Sequence, residues 1–419
     1  MPFQAAPSSS HRALRISAER LRGVLLWLMG FAGAFVFVEP GPYEIVGLAG
    51  IFLFGVSGLS LRGALIPLAL MLIVLDLGYA IAVVQVADEE KAVTWVGISI
   101  FLAVTALFYA AVVSSLPQAR LDYLLRGYTA AALVAALAAI AGYFHLLGGL
   151  SELFVLYDRA RGTFNDPNVL GAFLVLPAAL QLQRVLIERP ALVMRSGICL
   201  AVLLAALLLT FSRAAWGQLA LVGLIVVALS LASARNGRLR LRILSLAVVG
   251  AAVAAILLAA LLSVEQVGNL FAARATLDQA YDVGHFGRFG RYVLGAELGL
   301  ERPLGIGPLQ FYKSFGEDPH NSYLNAFMSG GWLAGFAYLT LTAVTLASAT
   351  RFLRADTPWR TTYHVIYAAY VGVAVESAII DIDHWRHYFL ILGALWGLMA
   401  ASRPYLARAE LRIPLVTSP

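Results

Sequence analysis

Charge, cysteine and lysine are all scarce in this chain. Asp, Glu, Lys and Arg make up 13 % of its 419 residues, about half the ~25 % of an ordinary soluble domain. Hydrophobic residues make up 60 % and the mean hydropathy is +0.81. No water-soluble fold hides that much apolar surface, so a set of soluble domains is excluded. The single cysteine, Cys199, sits in an apolar run, which excludes a disulfide-stapled secreted scaffold. Lysine is confined to Lys91 and Lys313; the remaining cations are arginine. The net charge of +6 is no sign of nucleic-acid binding, because the arginines are distributed as markers of membrane sidedness.

What is present is a series of apolar runs. A membrane helix needs about 20 mostly apolar residues. Twelve runs qualify, approximately 23–38, 45–61, 64–86, 92–113, 127–147, 168–183, 196–211, 214–233, 243–263, 322–349, 361–380 and 388–402. The expected fold is therefore an all-α polytopic membrane protein of about twelve transmembrane helices. Counting Lys and Arg in alternate loops puts twenty on the side of the N-terminus and ten on the other, while the acids run five against seventeen. The positive-inside rule then places both termini in the cytoplasm. The expected organisation is a cytoplasmic tail 1–22, nine spans over 23–263 with a medium outer loop 148–167, a long outer loop 264–321, three spans over 322–402 and a tail 403–419. The basic-side loops are short and carry no glycine-rich nucleotide loop. Chemistry is therefore expected on the outer face, without ATP.

Two outer segments carry the polar residues. The medium loop runs from Tyr157 through Arg159, Arg161, Asn165, Asp166 and Pro167 to Asn168. Asp166 is expected to cap a helix whose first residue is Pro167. The long loop ends Glu317-Asp318-Pro319-His320-Asn321-Ser322, and the same Asp-Pro start is expected there. Helix N-termini attract anions such as phosphate; plain capping alone explains each pair equally well. Arg288 and Arg291, three residues apart, share a face of any helix formed there. Arg213 follows Phe211-Ser212 at the outer end of a span. Guanidinium suits bidentate phosphate binding, and these arginines run against the inward bias. The bland reading pairs them with Asp158, Asp278 or Glu297, or with lipid phosphates. His320 stands where a helix dipole disfavours imidazolium, so a neutral ring able to accept a proton is expected. Asp381-Ile382-Asp383-His384-Trp385-Arg386-His387 contains an Asp-x-Asp pair. That is a weak metal signal, and a hydrogen-bonded, aromatic-anchored helix junction explains it better. Asp76 and Glu376, in or beside spans, make only a thin proton pathway.

The stretch Arg161-Gly-Thr-Phe-Asn-Asp-Pro-Asn168, Phe211-Ser212-Arg213, the long outer loop and Pro319-His320-Asn321-Ser322 resemble the bacterial O-antigen ligase and O-antigen (exopolysaccharide) polymerase superfamily. The resemblance covers about residues 150–390. It implies a fold similar to C-type membrane glycosyltransferases and a site on the periplasmic face of the inner membrane. The implied donor is an undecaprenyl-diphosphate-linked glycan. The implied acceptor is a sugar hydroxyl of lipid A–core or of a growing polysaccharide, or a protein in the oligosaccharyltransferases. The resemblance implies no metal and no cofactor. It makes His320 the residue engaging the acceptor, and Arg161 with Arg288 or Arg291 the arginines on the diphosphate. Arg159, Arg213, Asn165, Asn168 and Asn321 are the further residues expected to bind substrate. The competing class is a twelve-span transporter or a lipid-linked oligosaccharide flippase. It leaves the clustering of polar residues at one interface unexplained, since transporters place their binding groups near the midplane.

Overall fold

The computed structural model describes residues 9–37, 41–275 and 287–410. Residues 1–8 and 411–419 of the expected tails, residue 38 at the end of the first expected span, and residues 276–286 of the long loop, Asp278 among them, lie outside the described residues. The chain is almost wholly helical. In order the helices are α1 (Ser9–Ala32), α2 (Pro42–Val56), α3 (Ile66–Val83), α4 (Glu90–Ser115), α5 (Pro117–Tyr143), α6 (Pro167–Ile187), α7 (Pro190–Leu209), α8 (Arg213–Ser233), α9 (Gly237–Leu262), α10 (Glu265–Ala275), α11 (Arg288–Glu301), α12 (Phe311–Phe315), α13 (Ser322–Thr350), α14 (Arg360–Glu376) and α15 (Arg386–Glu410). A hairpin of β1 (Val155–Leu156) and β2 (Arg159–Ala160) pairs antiparallel in the medium loop.

Proline begins α2, α5, α6 and α7, where its fixed φ suits the first turn and its missing N–H costs nothing. Among the described residues, nine helices are long and apolar enough to cross a membrane, against about twelve expected. The difference lies in α1, α2 and α14. Helix α2 has 15 residues and α14 has 17, and at 1.5 Å per residue both fall short of a ~30 Å hydrocarbon layer. Helix α1 begins in the arginine-rich leader and ends at Ala32.

Apolar side chains face outward as well as inward. In the most apolar stretch of α9 only 6 % of residues are buried, which suits a helix bathed in lipid. Inside, three pairs form the frame: α1 on α5, α3 on α13, and α4 on α15. Small residues permit these approaches. A Cβ added at Gly127 would lie 2.0 Å from the Trp27 carbonyl oxygen, and one at Gly393 2.3 Å from that of Ala106. Two buried phenols tie helices together: Tyr128 donates to the Phe173 carbonyl at 2.9 Å, and Tyr363 to that of Ala349 at 2.7 Å.

Candidate active site

The site grows from the start of α13. The expectation that Asp318-Pro319 opens this helix is corrected. The cap is Asn321, whose Oδ1 accepts from the Leu324 N–H at 3.1 Å, and the helix begins at Ser322. The reason lies in the backbone of His320, at φ 52°. A left-handed residue cannot continue a right-handed turn, so the chain breaks there and the next polar side chain becomes the cap. At α6 the expected arrangement holds: Asp166 is the N-cap, its Oδ1 accepts from the Asn168 N–H at 2.6 Å, and Pro167 is the first helical residue.

The segment after α14 is stitched against this turn. Asp381 Oδ1 accepts from the Asn321 N–H at 2.9 Å. Ser322 Oγ accepts from the Ile382 N–H at 2.7 Å and donates to the Ile380 carbonyl at 3.1 Å. The Asn321 side chain also donates to the Ala378 carbonyl at 3.0 Å. These bonds bring Asp381 Oδ2 to 3.7 Å from Nδ1 of His320. Tyr292 Oη of α11 reaches the His320 carbonyl at 3.2 Å and the Ala378 carbonyl at 3.0 Å. The left-handed backbone, sparsely populated outside glycine, is thus held from two distant elements, α11 and the segment after α14.

Helix α11 supplies the cations. Arg288 and Arg291 stand on its first turn, as their spacing requires. Arg291 is buried, its Nη1 donates to Glu317 Oε2 at 2.5 Å, and its Nε has no partner among the described residues. Arg288 is half-buried. Burial first, then Arg288, then Arg291 push the His320 imidazole below its ordinary value, against weaker upward pulls from Glu317 and Asp166. Burial and the neighbouring Asp383 push Asp318 up. Burial, Asp383 and Asp318 push Asp381 well above the usual carboxylate range, although it accepts from the N–H groups of Asn321 and His320. The ring and its carboxyl neighbour are therefore both biased toward their uncharged forms. Asp383 is buried and accepts from Asn325 Nδ2 at 3.0 Å. His384 lies against Trp95, ring centroids 3.8 Å apart.

Of the residues expected from sequence, His320, Asn321, Arg288 and Arg291 come together here. Asp166 is near enough to act on His320 electrostatically. A second group ties the medium loop to the α7–α8 turn. Arg159, buried on β2, donates from Nε to the Thr210 carbonyl and from Nη2 to Asn168 Oδ1, both at 2.7 Å. Ser212, the N-cap of α8, precedes Arg213. Asn165 is exposed. Arg161 donates from Nε to the Leu153 carbonyl at 3.3 Å, and among the described residues no contact joins it to His320, Arg288 or Arg291. In sequence alone Asp381 reads as half of a weak metal pair. The usable signal was an Asp-x-Asp-His run at a helix junction on the same face as His320.

A comparison with curated proteins finds no match. Residues 198–339 match the sequence model of the O-antigen ligase family. That span contains Arg213, Arg288, Arg291, His320 and Asn321, and leaves out Arg159, Arg161, Asn168 and Asp381. The match supports a place for this multi-pass membrane chain in the O-antigen ligase and polymerase superfamily, and with it an enzyme of the glycosyltransferase type.

Proposed function

We propose that the protein transfers a glycan from undecaprenyl diphosphate to an acceptor hydroxyl at the periplasmic face of the inner membrane. The observation that carries this reading is the placement of His320, biased neutral, beside Asp381 and within electrostatic reach of the arginines of α11. Nδ1 faces Asp381, which leaves Nε2 for the acceptor hydroxyl. The acceptor oxygen attacks the anomeric carbon, the C1–O bond to the diphosphate breaks, and the carrier diphosphate departs with the electron pair. The acceptor proton passes to Nε2 and then to solvent. Arg288 stabilises charge developing on the leaving group, as fixed cations do in a water-poor site. Arg291 holds the turn through Glu317 and adds to the same field. Arg161, with Arg159, Arg213, Asn165 and Asn168, is assigned to the donor from the medium-loop side, and Asn321 to the acceptor side.

With cations supplied by arginine, the reaction is expected to proceed unchanged in chelator; loss of activity restored by a divalent ion would refute that. The direct test uses purified protein in liposomes with an undecaprenyl-diphosphate oligosaccharide in the accessible leaflet. His320→Ala and Arg288→Ala should insert and fold yet lose transfer, and wild-type rates in both would overturn the assignment. A ladder of lengthening lipid-linked chains marks a polymerase, one-step capping of lipid A–core a ligase, and a glycosylated protein an oligosaccharyltransferase.

A further inference from the structure

A polar cavity lies at the far end of α6 from His320. Pro167 opens α6 beside the site, and Gln181 follows fourteen residues later, about 21 Å along the helix at 1.5 Å per residue. Here a cavity of about 520 Å³ opens between α1, α5, α6 and α7, walled by Trp27, Arg126, Gln181, Arg184, Arg195 and Ser196. Its size falls in the range of roughly 300–1,000 Å³ of small-molecule sites.

Two features argue for a ligand. Gln181 is 3 % exposed and Ser196 5 %, both line the cavity, and among the described residues neither side chain is hydrogen-bonded to the protein, so what is left accessible of their polar groups opens on the cavity. Buried polar groups are normally satisfied, and these two turn into the cavity. The charge is also unbalanced: three arginines line the wall against one acid, Glu188. Arg126 pairs with Asp122 at 2.7 Å and Arg184 with Glu188 at 3.7 Å, each one helical turn away and partly exposed, so these pairs are weak. Arg195 has no acidic partner among the described residues. Water would satisfy the amide and the hydroxyl but would leave the positive surplus in place.

The wall has an apolar part as well. Leu133, Leu192 and the Trp27 indole complete it, and Leu192 is 48 % exposed. Arginine, indole and leucine side by side are the chemistry of the boundary between headgroups and acyl chains. We propose that this cavity binds the phosphodiester headgroup of an anionic phospholipid in the leaflet on the arginine-rich side. Arg184 and Arg195 hold the phosphate, Gln181 and Ser196 donate to its oxygens, and an acyl chain lies along Leu133 and Leu192. The site is independent of the transfer chemistry proposed at the opposite end.

Native mass spectrometry of the full chain, loaded with phosphatidylglycerol or phosphatidylcholine, tests this. The wild type should retain phosphatidylglycerol in preference to phosphatidylcholine. Arg195→Ala removes an exposed side chain with no partner among the described residues and should leave the fold intact; retention should fall about five-fold, the contribution of one arginine near an anionic headgroup. Gln181→Leu should weaken retention through the buried amide, and Arg238→Ala, on exposed α9 outside the cavity, should not. Equal retention of the two lipids, or wild-type retention in Arg195→Ala, overturns the proposal. Displacement of the lipid by inorganic phosphate would assign the cavity to a free anion and overturn it equally.

Discussion

Replacing Gly331 by alanine tests how the arginines of α11 are brought to His320. Gly331 interrupts α13 at φ 66° and ψ −164°, a region open to glycine and costing other residues about 1–3 kcal/mol. Its missing side chain also admits another backbone. An added Cβ would lie 2.3 Å from the Pro303 carbonyl oxygen and 2.6 Å from the Leu304 carbonyl carbon. Neither is the flexible end of a side chain, so overpacking adds about 1–3 kcal/mol. This crossing is where the chain leaving α11 is fastened to α13: the Trp332 N–H donates to the Pro303 carbonyl at 2.9 Å and the Ile306 N–H to that of Met328 at 2.7 Å. The Trp332 indole adds a bond to the Gly299 carbonyl at 2.8 Å. Together the two costs come to about 4 kcal/mol, or roughly 4–5 °C in unfolding midpoint at about 2 cal/mol/K per residue. Pushing α11 away by even 1 Å is expected to slow transfer about 100-fold. The assay pairs thermal unfolding in detergent with transfer in liposomes. Gly97→Ala, where an added Cβ meets nothing within 4 Å, is the control and should lose neither property. A Gly331→Ala protein with wild-type midpoint and wild-type transfer would refute the reasoning.

Three further outcomes are expected. Asp381→Asn keeps an oxygen for the Asn321 N–H and removes the carboxyl beside His320; transfer should fall tenfold or more, part of the ~10²–10⁴ typical of general acid–base catalysis, with little change in unfolding, and an unchanged rate would remove Asp381 from the site. Because burial and Arg288 push the His320 imidazole down, its neutral form persists to lower pH than in a free histidine. The acid limb of the transfer rate should therefore lie below about 6.5, and Arg291→Gln should move it upward; a limb at or above that value in the wild type contradicts the placement. Glu376 is 1 % exposed and neither carboxyl oxygen has a partner among the described residues, so Glu376→Met should raise stability by about 1–3 kcal/mol and leave transfer intact. Loss of function there would favour a proton-coupled transporter.

The local readings rest on nearest neighbours in the chain. Apolar runs of about twenty residues can satisfy their backbone in lipid only as helices, so the membrane class follows from composition. Asp166-Pro167 marks a true helix start because the cap and its N–H partner are two residues apart. Arg288 and Arg291 share a helical turn because three residues separate them. The same local rule failed at Asp318-Pro319. It had no access to the left-handed backbone of His320, which is held by Tyr292 and Asp381 from distant elements.

By itself, then, the sequence determined that this protein lives in a bilayer, that its long apolar runs are helical, and that arginine, carboxyl and imidazole are its chemical resources. Only the tertiary structure decided which of them meet. Asp381 reaches His320 across 61 positions, and Glu317 reaches Arg291 across 26. The glycine crossing at Gly331 that seats α11 joins segments that no helical or turn period connects. Such contacts depend on how whole helices pack, and packing is settled by shape over the entire bundle, which a pattern read along one stretch of chain does not contain.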